Sequence, residues 1–164
     1  MHRVLLSVLL SAVLIAAGSS TVWALQSGGV ETGDLATGSV VGQPFKTMDV
    51  DLVFNAMEIG GKKVWYPPTA ILNLRNQGTG GRPMSPVLLK LTNNLSSDHG
   101  FRLSTVTSNV DPTAMDINIV LKPGETRYIG IPISDLTYVT TSGVLKYSCQ
   151  LHGGHIGGTL LILK

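Results

Sequence analysis

Short apolar runs with alternating polarity fill the chain from about Met48 to its last residue, and this pattern constrains the fold most. Eight runs are rich in Val, Ile, Leu, Thr and Tyr and are separated by turn residues, as expected of an all-β domain. They are "MDVDLVFNAM", "TAILNLRN", "PVLLKLTN", "HGFRLSTV", "DINIVLK", "TRYIGIPI", "VLKYSC" and "GTLLILK". No long amphipathic helical period is present. The pattern therefore predicts an all-β fold, a Greek-key β-sandwich or small barrel.

The first 24 residues have the pattern of a secretory signal peptide: a short basic start, an apolar run and Ala24 at a plausible cleavage position. A retained N-terminal membrane anchor is the alternative. Residues 25–45 are rich in Gly, Ser and Thr without periodicity, and they predict a flexible lead-in to a domain over 46–164. We expect an exported protein, periplasmic or extracellular, without stable membrane insertion once the signal peptide is cleaved.

The net charge and the single cysteine limit the classes of function that the chain can have. Without Arg3, the 12 basic residues fall to 11 against 10 acidic ones, so the chain lacks the basic footprint of a nucleic-acid-binding protein. The one cysteine excludes an intramolecular disulfide. An unpaired cysteine in an oxidising compartment calls for intermolecular pairing, a reactive thiol or a metal ligand.

The cysteine lies in "YSCQLHGGHIGG", together with two histidines. Period-two alternation in "VLKYSC" directs Cys149 toward the core, and a turn after it would bring His152 and His155 back toward the sulfur. By the same rule His99 faces inward at the start of "HGFRLS". A thiolate with imidazoles is a donor set for a transition metal.

Three segments carry a resemblance to a known family. "YSCQLHGGHIGGTLLILK" resembles the C-terminal ligand loop and last strand of the cupredoxin superfamily, the plastocyanin, azurin and amicyanin group. "LTNNLSSDHGFRLS" resembles the segment that ends in the upstream histidine ligand, and "LKPGETRYIGIPI" resembles a recurrent turn. The likeness covers about the last hundred residues, and "CQLH" is similar to the red copper protein nitrosocyanin.

The resemblance implies one copper ion held by His99, Cys149 and His152. His155 lies where a short-loop relative has its axial methionine, and its position as a fourth ligand is a departure from the pattern. Nitrosocyanin has a glutamate where this chain has His99. If His155 binds, three imidazoles and a thiolate favour Cu(II) and a lower potential; if it does not, the copper keeps an open position.

Several functions fit this ligand set. One-electron transfer with a redox partner protein is the leading hypothesis. Copper handling or resistance, with a copper donor or acceptor as partner, is the second, and binding of a small ligand at an open copper position is the third. Zinc is the competing metal, and a nucleophilic Cys–His enzyme is the other chemical interpretation of Cys149 and His152. We expect a carrier or copper-binding protein rather than an enzyme.

Overall fold

The structure is a computed structural model that describes residues 29–74, 85–105, 115–139 and 142–164. The predicted signal peptide lies outside the described residues, as does most of "NQGTGGRPMS", a segment whose Gly, Pro and Ser content predicts a surface loop. Where the domain begins therefore remains a prediction from sequence.

Twelve strands, one turn of 3-10 helix and one short α-helix make up the described fold. In chain order they are β1 (Glu31–Gly33), β2 (Ser39–Val40), β3 (Gln43–Pro44), the 3-10 turn (Phe45–Thr47), β4 (Leu52–Ile59), β5 (Lys62–Tyr66), β6 (Thr69–Asn73), β7 (Val87–Asn93), β8 (His99–Thr105), β9 (Asp116–Leu121), β10 (Thr126–Ile131), α1 (Ile133–Val139), β11 (Val144–Ser148) and β12 (Gly158–Leu163).

Two five-stranded sheets form a sandwich. One has the strand order β1-β10-β7-β4-β5 and the other the order β6-β12-β11-β8-β9, while β2 and β3 form a separate pair. Most neighbours are antiparallel, but β4 pairs with β7, and β12 with β6, in parallel. The inner faces share one apolar core. The predicted all-β sandwich is therefore confirmed.

Strand β8 shows why the sequence pattern locates the core. Phe101 and Leu103 are fully buried on the inner face, while Arg102 between them is exposed and pairs with Asp116 of β9. This alternation follows from the period of two along a strand. All eight runs predicted as strands are strands in the structure, with ends displaced by a few residues.

Beyond the N-terminal segment, two described elements were not predicted. Strand β5 lies between two of the eight predicted strands, and it ends just before two prolines. Helix α1 has only 7 residues, too few to display a helical period beside the neighbouring strands. Its Asp135 accepts a hydrogen bond from the backbone N–H of Gly29 at 3.0 Å, so it helps to hold the N-terminal segment.

The described part of the predicted flexible lead-in differs from that prediction. Strand β1 is hydrogen-bonded to β10, and Phe45 is fully buried in a small cluster with Val40. A Cβ at Gly38 would overlap the Phe45 ring, and one at Gly130 would lie 2.6 Å from it. Glycine here makes room for an aromatic ring, so a glycine-rich composition does not indicate flexibility in residues 29–45.

Within the residues that the structure describes, no helix has the length and apolarity needed to cross a membrane.

Truncation of Phe45 tests whether this segment belongs to the core. Phe45→Ala is expected to lower the free energy of unfolding by about 3–5 kcal/mol, because it leaves a cavity between Gly38 and Gly130. The matched control Leu35→Ala removes a side chain that is 41% exposed and should cost less than about 1 kcal/mol. Equal effects of both variants in denaturant titrations would contradict the packing described here.

Candidate metal centre

The structure brings together the four residues that the sequence singled out. His99, Cys149, His152 and His155 each offer one ligand atom, and these atoms all lie within 4.8 Å of one another. The Cys149 Sγ is 3.6 Å from the Nδ1 of His152. Such a group of donors could hold a metal ion at one end of the sandwich.

The three imidazole rings are packed against each other. The ring centroids of His99 and His155 are 4.5 Å apart and nearly parallel, and those of His152 and His155 are 4.7 Å apart. His155 therefore lies between the other two rings, whose centroids are 6.0 Å apart. His99 is fully buried, His155 and Cys149 are partly buried, and His152 is exposed. The group thus extends from the core to the surface.

Three nitrogen atoms of this group are buried without a hydrogen bond to any described residue. They are both ring nitrogens of His99 and the Nδ1 of His155. Burial of an unpaired polar atom costs free energy, so such atoms usually have a partner. A metal ion would be a partner for one nitrogen of each ring, because the unprotonated imidazole of histidine is the commonest metal ligand in proteins. The donor set therefore fits a bound metal.

Burial and neighbouring charged groups favour the neutral form of the His99 and His155 rings. Burial lowers the pKa of His99 to about 4, with further lowering by His155, His152 and Lys63. Burial also lowers the pKa of His155, assisted by His152 and Lys63. Both imidazoles are consequently in the unprotonated form at neutral pH, which is the form that binds a metal.

His99 is held at the start of β8 by contacts that the sequence did not reveal. The ring of Trp65 lies beside it at a centroid distance of 5.6 Å, and the Trp65 Nε1–H donates to the Gly100 carbonyl at 2.8 Å. The buried Asn93 fixes the preceding turn: its amide donates to the carbonyls of Ser97 and Leu121 at 2.8 and 3.1 Å.

The loop that carries His152 and His155 is attached to the opposite sheet. The Ile156 N–H donates to the Lys63 carbonyl at 3.0 Å, and the Trp65 N–H donates to the Ile156 carbonyl at 2.9 Å. These bonds form an isolated parallel bridge between Ile156 and Val64 of β5. The residue after His155 is therefore fixed to the first sheet, while His99 begins β8 and Cys149 directly follows β11 in the second.

Tyr147, two residues before Cys149, ties β11 to the segment between β5 and β6. Its hydroxyl donates to the Pro67 carbonyl, and burial raises its pKa to about 12. A Cβ at Gly158 would overlap this hydroxyl, so the glycine at the start of β12 allows the two strands to approach. Within the loop Gly154 has a φ of 88°, a conformation that favours glycine.

Comparisons with known proteins gave structural matches only. A reduced Cu(I) form of an amicyanin variant matches with 12% identity and a TM-score of 0.42, over 70% of this chain and 84% of that one. A purple cupredoxin from Nitrosopumilus maritimus matches with 15% identity and a TM-score of 0.42, over 68% of this chain and 99% of that one. No family model matches the chain, and no curated protein does.

The sandwich and the four-residue group define this chain as an all-β protein with a candidate metal centre. Identities of 12% and 15% to the matched structures do not transfer a function to this chain. The sequence located all four residues of the group by residue type and strand alternation. It did not reveal Trp65, Asn93 or Lys63, whose roles depend on neighbours distant in the sequence.

Acidification of the metal-free protein tests the burial of His99. Its pKa is about 4 in the fold and about 6.5 when unfolded, so between these values only the unfolded chain takes up the proton. The free energy of unfolding should therefore have its full value above pH 6.5, and it should fall by about 3 kcal/mol as the pH drops to 4. Urea titrations of the protein and of His99→Phe over this pH range measure the loss. If the free energy of unfolding depended on pH in the same way in both proteins, the burial of an unprotonated His99 would be contradicted.

Proposed function

We propose that the chain binds one copper ion through His99, Cys149, His152 and His155. The observation that carries this proposal is the convergence of one sulfur and three imidazole nitrogens within 4.8 Å, three nitrogens of the group being buried without a partner among the described residues. A thiolate combined with imidazoles is the donor set of mononuclear copper sites in sandwich proteins of this kind.

Copper is preferred over zinc on two grounds. Divalent copper binds a given nitrogen and sulfur site more tightly than zinc does. Structural zinc sites commonly combine paired cysteines with histidines in closely spaced motifs, whereas this group has one thiolate and draws His99 from a strand 50 residues away from Cys149. A ligand atom of His155 lies within 4.8 Å of those of the other three residues, which favours the four-donor arrangement over a three-donor site with an open position.

The function that the geometry supports best is one-electron transfer. Bound copper supplies a redox couple, Cu(II)/Cu(I), that exchanges one electron. The chain's contribution is to keep the donors in one arrangement: His99 is buried beside Trp65, and the loop is bonded to β5 through Ile156. A supported set of ligands favours rapid exchange, because little has to move when the charge on the metal changes.

Our proposal is that this activity lies outside the cytoplasm and that a redox protein is the partner, since the first 24 residues have the pattern of a signal peptide. The exposed His152 is the member of the group closest to solvent, so its ring edge is the expected path for the electron. We infer export from the sequence motif alone.

Copper handling is the second candidate function. The exposed His152 is followed by Gly153 and Gly154, and a Cβ at either glycine would meet no atom within 4 Å. This side of the loop is therefore open, and an incoming ligand could displace His152 during copper transfer. A carrier should release copper slowly and exchange electrons rapidly, whereas a copper chaperone should pass its metal to a competing thiol within minutes.

Titration with Cu(II), followed by optical and EPR spectroscopy, tests the ligand set. The protein should gain a thiolate-to-copper absorption band that Cys149→Ser abolishes. His155→Met should shift the spectrum toward a strongly blue site, because a thioether replaces a stronger imidazole donor. Leu151→Ala is the matched control, since Leu151 lies in the same loop with its side chain exposed.

Two outcomes would count against the proposal. A protein that binds Cu(II) without a charge-transfer band would show that Cys149 is not a ligand. Binding of one equivalent of Zn(II) that excess Cu(II) does not displace would identify the site as a zinc site.

A further inference from the structure

The side chain of Gln150 occupies a space that only a glycine at position 100 leaves free. A Cβ at Gly100 would lie 2.9 Å from the Gln150 Nε2, 2.5 Å from its Cδ, and closer still to its Oε1. Gln150 follows Cys149 directly and Gly100 follows His99 directly. The contact therefore joins the two segments that carry the proposed ligands.

Gln150 also makes a hydrogen bond beyond Gly100. Its Nε2–H donates to the Ile119 carbonyl of β9 at 3.0 Å, in a partly buried position. Strand β8 lies between β11 and β9, and Gly100 pairs with Val120 of β9. The Gln150 side chain thus extends from the end of β11 across β8, and its amide is hydrogen-bonded to β9 on the far side.

Backbone conformation does not explain the glycine at position 100. Its φ lies outside the left-handed region, so an alanine could adopt the same backbone. The atoms that an added Cβ would meet first belong to Gln150 alone. Meanwhile the Gly100 carbonyl accepts the hydrogen bond from Trp65, so the surface under Gln150 is fixed.

We propose that Gln150 is a positioning residue for the metal centre. Seated on Gly100 and bonded to Ile119, it holds Cys149 and the start of the His152 loop in place relative to His99. Ile156 fixes the far end of the same loop to β5, so Gln150 and Ile156 restrain it at both ends. This inference rests on the proposed metal site for its consequence, but the restraint on Cys149 exists without a metal.

The experiment compares two variants that break the same contact from opposite sides. Gly100→Ala displaces the Gln150 amide, and Gln150→Ala removes it. Gly153→Ala is the matched control, because a Cβ at Gly153 meets nothing within 4 Å and its φ is also outside the left-handed region. Gln150→Glu keeps the shape of the side chain but has no N–H to donate to Ile119 at neutral pH.

Two readouts on the protein expressed from the full sequence separate this inference from the proposed function. In the metal-free protein, the rate of Cys149 modification by an aromatic disulfide reagent should rise about three- to tenfold in Gly100→Ala, Gln150→Ala and Gln150→Glu. In the copper-loaded protein, the same variants should shift the thiolate absorption band and release copper to a chelator faster by a similar factor. Gly153→Ala should match the unchanged protein in both.

The effect of combining the two substitutions tests the proposal. Because both substitutions remove one contact, the double variant Gly100→Ala/Gln150→Ala should be no faster than either single variant. Additive effects, or thiol rates within a factor of about two of the unchanged protein, would overturn it. A Gln150→Glu variant that behaves as the unchanged protein would overturn the role of the Ile119 hydrogen bond. If the unchanged protein does not bind copper, the proposed function fails, while the thiol rates still decide the role of Gln150.

Discussion

The burial of His99 is the constraint on which the rest of this structure depends. Its ring is fully buried, and neither nitrogen has a hydrogen-bond partner among the described residues. Burial of an unpaired polar group costs free energy that the surrounding packing must offset. Trp65 packs beside the ring, and Asn93 fixes the turn before it. The fold therefore keeps a neutral imidazole stacked on His155, with a ring nitrogen within 4.8 Å of the Cys149 sulfur, and this arrangement has a chemical use when a metal binds.

Both sheets contribute to the site, although its donors come from one of them. His99 and Cys149 lie at the ends of neighbouring strands in the second sheet, and the loop after Cys149 returns to β5 of the first sheet through Ile156. Trp65 links the two, since its backbone binds Ile156 and its indole binds Gly100. The geometry of the group thus depends on how the two sheets pack, and a change in that packing alters the positions of the donors.

Several glycines in this chain serve close packing rather than mobility. Gly38 and Gly130 accommodate the Phe45 ring, Gly158 accommodates the Tyr147 hydroxyl, and Gly100 accommodates the Gln150 amide. Gly154 is a different case, because its positive φ is a backbone requirement of the loop. This distinction explains why the glycine-rich N-terminal segment was expected to be flexible and yet, over residues 29–45, packs as part of the sandwich. Composition alone does not show which neighbour a glycine makes room for.

The sequence by itself determined the eight main strands, the all-β class and the identity of the four residues that converge. Strand alternation is a local property, and imidazole and thiol groups are recognisable wherever they occur. Only the tertiary structure decided the partners of those groups: Trp65, Asn93, Ile119 and Ile156 become neighbours of the site through sheet packing across long sequence separations. Helix α1 and strand β5 also needed that context, because a short element takes its conformation from the surface it packs against.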